Sequence, residues 1–237
     1  MKKIFTLVLF ALATVAANAQ TKHTVNVWID GQKTTIENVD SLTFVEEPKM
    51  ATEYVDLGLS VKWATCNLGA TKEDEVGNYY SWGETATKNE YEYTMGNYKY
   101  SDGSKYNDED NKLNLDPEDD AATVALGAEW RTPNYDEFNE LITNCDWEWC
   151  TDKEITGMIG KSKINGNTIF LPAAGSSDEY GVDYVGKYVE FWTNERPYGK
   201  DYPYYIFGVK TAKGAALNIK NTYKYPGLPV RPVYVGK

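Results

Sequence analysis

Histidine is almost absent from this sequence: the only one among 237 residues is His23. Hydrolase triads and imidazole general bases need a histidine inside the folded domain. His23 lies three residues past the predicted start of the mature chain, ahead of every other motif. We therefore predict that the main domain has no histidine-based catalytic or metal site.

Cysteine is also scarce, with three residues in the whole chain: Cys66, Cys145 and Cys150. None belongs to a C-x-x-C pair, and no histidine accompanies them, which argues against a zinc site. Three cysteines cannot all pair within one chain. Cys66 with Cys145 is the candidate disulfide, since Cys145 and Cys150 flank “DWEW” and are not an obvious pair.

Only three of the 24 basic residues are arginines. Arg131 and Arg231 stand beside prolines in apolar surroundings, in “WRTP” and “PVRPVY”. We interpret both as buried ties whose planar guanidinium groups are satisfied by carboxylates or carbonyls, a geometry that lysine cannot reproduce. Recognition by arginine then falls to Arg196. The acids to consider first as partners are Asp119, Asp120, Glu84 and Glu137.

After the first twenty residues the sequence has no long hydrophobic run. Within those twenty residues, Lys2 and Lys3 are followed by the apolar run “IFTLVLFALATVAA” and by an A-x-A site formed by Ala17 and Ala19. This pattern predicts a signal peptide over residues 1–19 and a periplasmic, cell-surface or extracellular location. The apolar run is too short to predict a membrane span.

Acidic residues exceed basic ones by 35 to 24, giving a formal charge of −11. Removal of the predicted leader takes two lysines away, so the mature balance is 22 basic against 35 acidic, or −13. Such a surface repels nucleic acid and anionic lipid. The 19 tyrosines and seven tryptophans indicate either a rigid β-rich core or a surface that binds partners, and both readings stay open.

The chain divides into a small β unit over 20–48, a linker over 49–52 and a main domain over 53–237. In the β unit, “TVNVWI” and “QKTTIE” read as strands around a “DG” turn, with “VDSLTFVEE” as a third strand. In the main domain, “LDPEDDAATVALG” predicts a helix with Asp116 as N-cap. “RTPNYDEFNEL” predicts another, with Asn134 and Glu137 at capping-box spacing. Short strands follow, so the fold class is α+β with an antiparallel sheet.

Residues 85–115 are polar, tyrosine-rich and acidic, which predicts a long surface excursion with little regular structure. The acids continue through “NDEDNKLNLDPEDD”, and clusters of this kind are candidates for calcium. The EF-hand pattern fails because no glycine follows at the required offset. The sugar-binding motifs Glu-Pro-Asn and Trp-Asn-Asp are absent as well. Calcium therefore stays possible without assigned ligands.

Eight motifs follow one another in an order typical of one family: “VDLGLSVKWATCNLGA”, “GNYYSWGET”, “DPEDDAA”, “EWRTPNYDEFNEL”, “CDWEWC”, “NTIFLPAAG”, “FWTNE” and “GLPVRPVY”. With them, residues 53–235 resemble the Fibrobacter succinogenes major paralogous domain (FISUMP) family of secreted bacterial proteins. The leader ending in “VDSLTF” looks like the β unit that precedes such domains in Bacteroidetes-type surface proteins.

The resemblance implies a C-type-lectin-like fold, in which two helices flank an antiparallel sheet and both chain ends lie in neighbouring strands. It also implies distant kinship with the formylglycine-generating enzymes, which work through two late cysteines. Here the last cysteine, Cys150, precedes all the late strands. We therefore expect no enzymatic activity of that kind.

In the fold that the resemblance implies, loops of the late strands present ligands. Two stretches, 194–205 and 220–227, combine tyrosine, asparagine, aspartate and a lone arginine, the adaptable chemistry of recognition loops. The candidate ligand-binding residues are Asn194, Arg196, Tyr198, Asp201, Tyr202, Tyr204, Asn221, Tyr223 and Tyr225.

The sequence thus predicts a secreted or cell-surface binding domain for a glycan, a peptide or a protein. One alternative is a structural or adhesin component of a surface assembly. A second is a glycoside hydrolase, which needs two carboxylates roughly 5–10 Å apart in a cleft. Glu84 and Glu190 are the acids to consider, although each reads better as a partner of lysine or arginine.

Overall fold

The computed structural model describes residues 23–29, 32–39, 53–197 and 205–236. They fall into two compact units, divided between Pro48 and Lys49. The predicted signal peptide over 1–19, the third strand within 39–47 and the linker over 49–52 lie outside the described residues, apart from Val39. No helix in the described ranges is long and apolar enough to span a bilayer.

The small unit contains an antiparallel hairpin of β1 (His23–Ile29) and β2 (Gln32–Val39). Ile29 pairs with Gln32, so the strands are joined by the two residues of the predicted “DG” turn, which are themselves not described. The register shifts between His23 and Val25. The two predicted strands are therefore present and paired with each other.

The larger unit contains short strands and two α-helices. In chain order, its described elements are β3 (Tyr54–Val55), β4 (Lys62–Ala64), β5 (Tyr79–Tyr80), α1 (Ala121–Leu126), β6 (Trp130–Arg131), α2 (Tyr135–Asn144), β7 (Cys145–Cys150), β8 (Gly157–Ser162), β9 (Thr168–Pro172), β10 (Ser176–Asp178), β11 (Gly181–Asp183), β12 (Tyr188–Trp192), β13 (Tyr205–Ala212), β14 (Asn218–Tyr223), β15 (Leu228–Pro229) and β16 (Val233–Tyr234).

Every strand pairing in the described ranges is antiparallel, which confirms the predicted α+β class. The last strand, β16, lies inside a four-stranded sheet of order β3-β4-β16-β6. Val233 pairs with Trp63 on one side and with Arg131 on the other. Two three-stranded sheets, β7-β8-β9 and β12-β13-β14, and two two-stranded pairs, β10-β11 and β15-β5, complete the unit.

The capping chemistry explains where the helices begin. Helix α2 starts with the predicted capping box: Glu137 donates its backbone N–H to Asn134 Oδ1 at 2.8 Å, and Asn134 donates its own to Glu137 Oε2 at 2.9 Å. For α1 the predicted N-cap was wrong. The carboxylate of Asp120 accepts the N–H groups of Ala122 and Thr123, whereas Asp116 opens a preceding 3-10 turn.

Two apolar clusters form the core. In the first, Phe138 and Leu141 of α2 pack with Trp63, Leu171 and Phe191. The second is rich in aromatic side chains: Tyr80, Trp82, Tyr98, Tyr100, Tyr106 and Trp192. Trp63, Trp82, Trp130 and Trp192 are buried.

Residues 85–115 are irregular, with one 3-10 turn at Met95–Asn97, as predicted, but four of their tyrosines are buried: Tyr93, Tyr98, Tyr100 and Tyr106. Tyr98 and Tyr106 are almost fully buried in the aromatic cluster. Their hydroxyl groups donate to Trp82 O at 2.9 Å and to Asp119 Oδ2 at 2.7 Å. The prediction missed this burial because the polar composition concealed tyrosines that find internal acceptors and can therefore be buried.

Candidate functional site: a tyrosine-lined cleft

Three segments that are distant in sequence enclose a cleft of about 280 Å³. They are the irregular loop 93–95, the tip of the β10-β11 hairpin at 178–179, and the end of β14 with its following turn at 223–226. The residues lining this tyrosine cleft are Tyr93, Thr94, Met95, Asp178, Glu179, Tyr223, Tyr225 and Pro226.

Hydrogen bonds at Ser177 hold the three segments together. Its backbone exchanges two hydrogen bonds with Gly227, each 2.8 Å long, and its hydroxyl donates to Glu90 O at 2.7 Å. Gly227 is required at this crossing, since a Cβ there would come within 2.7 Å of the Tyr93 ring. The cleft walls are therefore fixed by backbone contacts.

Tyr223 and Tyr225 form one wall of the cleft. Their rings stack with centroids 5.3 Å apart and planes at 27°. Tyr223 is 44% exposed and Tyr225 is half-buried. The intervening Lys224 points inward, because successive residues of an extended chain face opposite sides. The two rings thus present a paired aromatic surface to a ligand.

Lys224 anchors this segment from inside. Only 4% of Lys224 is exposed. Its ammonium group donates to Tyr106 O at 2.9 Å and lies 5.4 Å from the centre of the Trp82 ring. Burial lowers the pKa of Lys224 to about 8, and the positive charge of Arg196 adds to the effect.

This pKa predicts a pH dependence of stability. Between the folded pKa of about 8 and the ordinary value of 10.5, the unfolded chain binds more protons at this position, so stability increases with pH. Relative to Lys224→Met, the wild-type free energy of unfolding should rise by about 2 kcal/mol from about pH 7.5 to about pH 9.5. Urea unfolding of both proteins measures this difference. Parallel profiles would contradict it.

Two carboxylates, Asp178 and Glu179, stand opposite the tyrosines. Asp178 Oδ1 accepts the N–H of Tyr180 at 2.8 Å, which fixes the hairpin tip. Partial burial raises the pKa of the Tyr225 phenol, and Tyr223, Glu179 and Asp178 raise it further. The cleft therefore combines aromatic surface with negative charge.

An exposed apolar patch adjoins the cleft. Of the ten exposed large hydrophobic residues in the described ranges, five lie on the hairpin, the residues just after it, or the loop over it. The ring of Tyr91 covers Gly181, where a Cβ would come within 2.9 Å of it. Tyr180 at the tip is 83% exposed. We call this set the hairpin patch: Tyr91, Tyr180, Val182, Tyr184 and Val185.

The structure separates the predicted ligand-binding residues into three groups. Tyr223 and Tyr225 line the cleft, and Asn221 is exposed on β14. Tyr198, Asp201, Tyr202 and Tyr204 lie outside the described residues. Asn194 and Arg196 are buried and cannot serve as predicted.

Arg196 is a structural tie because its whole guanidinium group is used internally. Its Nε donates to Lys112 O at 2.7 Å, Nη1 to Asp108 Oδ1 at 2.9 Å, and Nη2 to Asn107 O. Asn194 is similarly enclosed: its Oδ1 accepts from the Asn114 amide at 3.3 Å. The prediction that Arg196 recognises a ligand is therefore wrong.

The other two arginines also act within the fold. Arg131 is half-buried and forms a bidentate pair with Glu137, with its Nη1 at 2.7 Å from Oε2. Arg231 is fully buried, and its partners are neutral oxygens: Asn67 Oδ1, Ala64 O, Thr65 O and Phe170 O, at 2.9–3.0 Å. Burial lowers the pKa of Arg231 to about 10, so it stays charged at neutral pH.

The remaining acids considered as arginine partners have other roles. Glu84 pairs with Lys88 at 2.7 Å. Asp120 caps α1 and also accepts from the backbone and hydroxyl of Thr132. Asp119 accepts from Lys99 and Lys105. Among the four acids, Glu137 pairs with an arginine, Glu84 and Asp119 pair with three lysines between them, and Asp120 caps a helix.

A group of three acids, Asp116, Glu118 and Asp119, has the spacing of metal ligands. Lys105 lies within it, at 2.6 Å from Asp116 and 2.5 Å from Asp119. Burial opposes ionisation of Asp119, but hydrogen bonds from Lys105 and Lys99 dominate and keep its pKa well below the usual range. These acids are therefore neutralised by ammonium groups, which argues against calcium at this position.

The candidate disulfide between Cys66 and Cys145 is not formed in the structure, where both residues are thiols. The Cys66 thiol donates to Ala70 O at 3.3 Å. Cys145 belongs to the first core cluster, and burial raises the pKa of its thiol to about 11. The two side chains occupy separate sites in the fold, each with its own packing.

The sequence prediction missed half of the cleft. Tyr93, Asp178 and Glu179 lie outside the late-strand loops in sequence and meet them in the fold, where Ser177 pairs with Gly227 and the Tyr93 ring lies against Gly227. A compositional signal existed, since “EYEY” (90–93) and “DEYGVDY” (178–184) both interleave acids with tyrosines.

The chain matches no protein-family model, no curated protein and no solved structure.

Proposed function

We propose that this protein is an exported, non-enzymatic binding domain that recognises a polypeptide partner through the tyrosine cleft and the hairpin patch. The observation that carries this proposal is their continuity: the β10-β11 hairpin contributes to both surfaces. Exposed apolar groups concentrated beside a polar cleft are characteristic of protein-binding surfaces.

Tyrosine suits this role for physical reasons. Its ring supplies contact area at a low entropic cost, and its hydroxyl group makes adaptable hydrogen bonds. Five exposed or half-buried tyrosines contribute to the combined surface: Tyr91, Tyr180, Tyr184, Tyr223 and Tyr225. A surface of this breadth exceeds what a single sugar subsite needs, which favours a polypeptide.

The proposal includes the C-type-lectin-like fold and membership of the FISUMP family. The position of β16 between β4 and β6, close to the first strands of the domain, supports this fold, as do the two helices. Export rests on the leader pattern of residues 1–19, and the lack of enzymatic activity rests on the position of Cys150 before the late strands.

A glycan is the second candidate ligand. It is favoured by one observation, the nearly parallel rings of Tyr223 and Tyr225. A sugar could stack its apolar face on such a pair while its hydroxyl groups donate to Asp178 and Glu179.

The experiment is a selection from a random peptide display library, run beside a glycan array with and without calcium. We expect the library to yield peptides whose binding is lost on the double variant Tyr223→Ala/Tyr225→Ala. Tyr54→Ala is the matched control: Tyr54 is 43% exposed and stacks on Tyr234 in a different sheet. Truncation of two central aromatic contacts should weaken binding by at least about thirtyfold, or about 2 kcal/mol.

Three outcomes would contradict the proposal. Glycan binding that is lost in the double variant would show that the ligand of the cleft is a glycan and not a polypeptide. An equal loss of peptide binding in Tyr54→Ala would show that the cleft is not the binding site. An absence of binding in both screens would indicate that the protein is a structural component of a surface assembly.

A further inference from the structure

The charged residues that line the tyrosine cleft are all acidic. Among its described lining residues, Asp178 and Glu179 are the charged ones, and none is basic. Within the described part of the chain, neither acid forms an ion pair with a lysine or arginine. Elsewhere in the molecule, acids such as Asp116 and Asp119 are neutralised by lysines.

Two of the lysines near the cleft in sequence are engaged in other contacts. Lys88, near the Tyr93 ring, is paired with Glu84 at 2.7 Å. Lys224, between the two wall tyrosines, is turned into the core, where it donates to Tyr106 O. The two carboxylates therefore lack an internal cation from the neighbouring segments that the structure describes.

The aromatic lining favours the same kind of ligand. Aromatic rings attract cations through their negative faces, and the attraction grows when the cation is partly desolvated. The volume of about 280 Å³ is slightly below the range of small-molecule sites, which span roughly 300–1,000 Å³. A cleft of this size fits one or two side chains of a partner.

We infer that the tyrosine cleft binds a lysine or arginine side chain, so that the partner is a basic polypeptide segment. The alkyl stem lies against Tyr223 and Tyr225, and the cationic end reaches Asp178 and Glu179. The hairpin patch packs against the flanking apolar residues of the same segment. This inference rests on the proposed function and specifies the chemistry of its ligand.

The net charge of the chain supports this choice of partner. With a formal charge of −11, the protein attracts basic polypeptides over distances of about 8–10 Å at physiological salt and accelerates their encounter. Long-range attraction does not select one site, so the test must separate the cleft from the surface in general.

The probe is a fluorescein-labelled glycine–serine peptide carrying spaced lysine and leucine residues, titrated with the purified protein and followed by fluorescence anisotropy. The same peptide with every lysine replaced by Nε-acetyllysine keeps the length and removes the charge. We expect the lysine peptide to bind at least about tenfold more tightly than the acetylated one. The double variant Asp178→Asn/Glu179→Gln should remove that preference.

The matched control is Asp146→Asn/Glu148→Gln on β7. Both residues are exposed, and the variant removes the same charge from a different sheet. We expect it to keep the preference for lysine. Thermal melting of both variants checks that they fold. Equal binding of the two peptides, or equal loss in the two double variants, would overturn the inference.

The inference and the proposed function can fail separately. If the display library yields neutral or acidic peptides that need Tyr223 and Tyr225, the cleft binds polypeptides and the basic-ligand inference is wrong. If neither library nor lysine peptide binds, the proposed function itself is wrong. Basic peptides that depend on Tyr225 and Glu179 support both.

Discussion

Replacing Arg231 by methionine is expected to lower the free energy of unfolding by about 4 kcal/mol. The guanidinium group is fully buried and donates to four neutral oxygens, from Asn67, Ala64, Thr65 and Phe170. Methionine fills much of the space but leaves these acceptors unsatisfied, and each buried orphan costs about 1–3 kcal/mol. Urea unfolding followed by tryptophan fluorescence measures the loss.

Two further variants make this prediction specific. Arg231→Lys retains a charge but cannot reach all four oxygens, so it should still cost about 3 kcal/mol. Arg131→Met should cost less than either, since Arg131 is half-buried and has one carboxylate partner, Glu137. A loss at Arg231 no greater than that at Arg131 would show that the buried arginine is not a central tie.

Arg196→Met is expected to destabilise the protein by about 3 kcal/mol and to release the loop at 107–112. Arg196 connects this loop to the chain after β12, through Asn107 O, Asp108 and Lys112 O. Hydrogen exchange should therefore accelerate for backbone amides of 107–112 more than for those of β8 and β9. Equilibrium unfolding gives the stability change on the same samples.

A control from the same loop separates burial from charge. Lys112→Met also removes a positive charge, but Lys112 has an exposed ammonium group paired with Asp116. Such a pair is worth less than about 1 kcal/mol. If Arg196→Met were as mild as Lys112→Met, the guanidinium of Arg196 would not hold the loop.

Local chemistry made the helices predictable. The capping box at Asn134 and Glu137 depends on residues three apart, and the structure contains it. The same reasoning misplaced the start of α1, because Asp116 and Asp120 are both good caps four residues apart. The choice between them is made by tertiary contact: Asp120 also receives the N–H and hydroxyl of Thr132.

Strand β7 shows a signal that the sequence contained and the prediction did not use. In “CDWEWC”, Cys145, Trp147 and Trp149 alternate with acids, the period of a strand with one buried face. By contrast, no local pattern could reveal the environment of Arg196. Its acceptors lie more than eighty residues earlier in the chain and meet it only in the folded molecule.

The cleft was predictable in part for the same reason. The tyrosine-rich stretch 220–227 indicated Tyr223 and Tyr225, but not which residues would face them. The opposite wall, with Asp178 and Glu179, depends on the antiparallel contact between Ser177 and Gly227. Residues separated by fifty positions become neighbours through backbone pairing, and a single sequence does not encode that pairing in any local motif.

The central position of β16 has a consequence for how the chain folds. The strand comprises residues near the C-terminus, Val233 and Tyr234, and it bridges β4 and β6. The four-stranded sheet cannot close until Val233 and Tyr234 have been synthesised, and contacts of such long sequence separation form slowly. Removal of Val233 and Tyr234 should therefore leave β4 and β6 without the strand that joins them in one sheet.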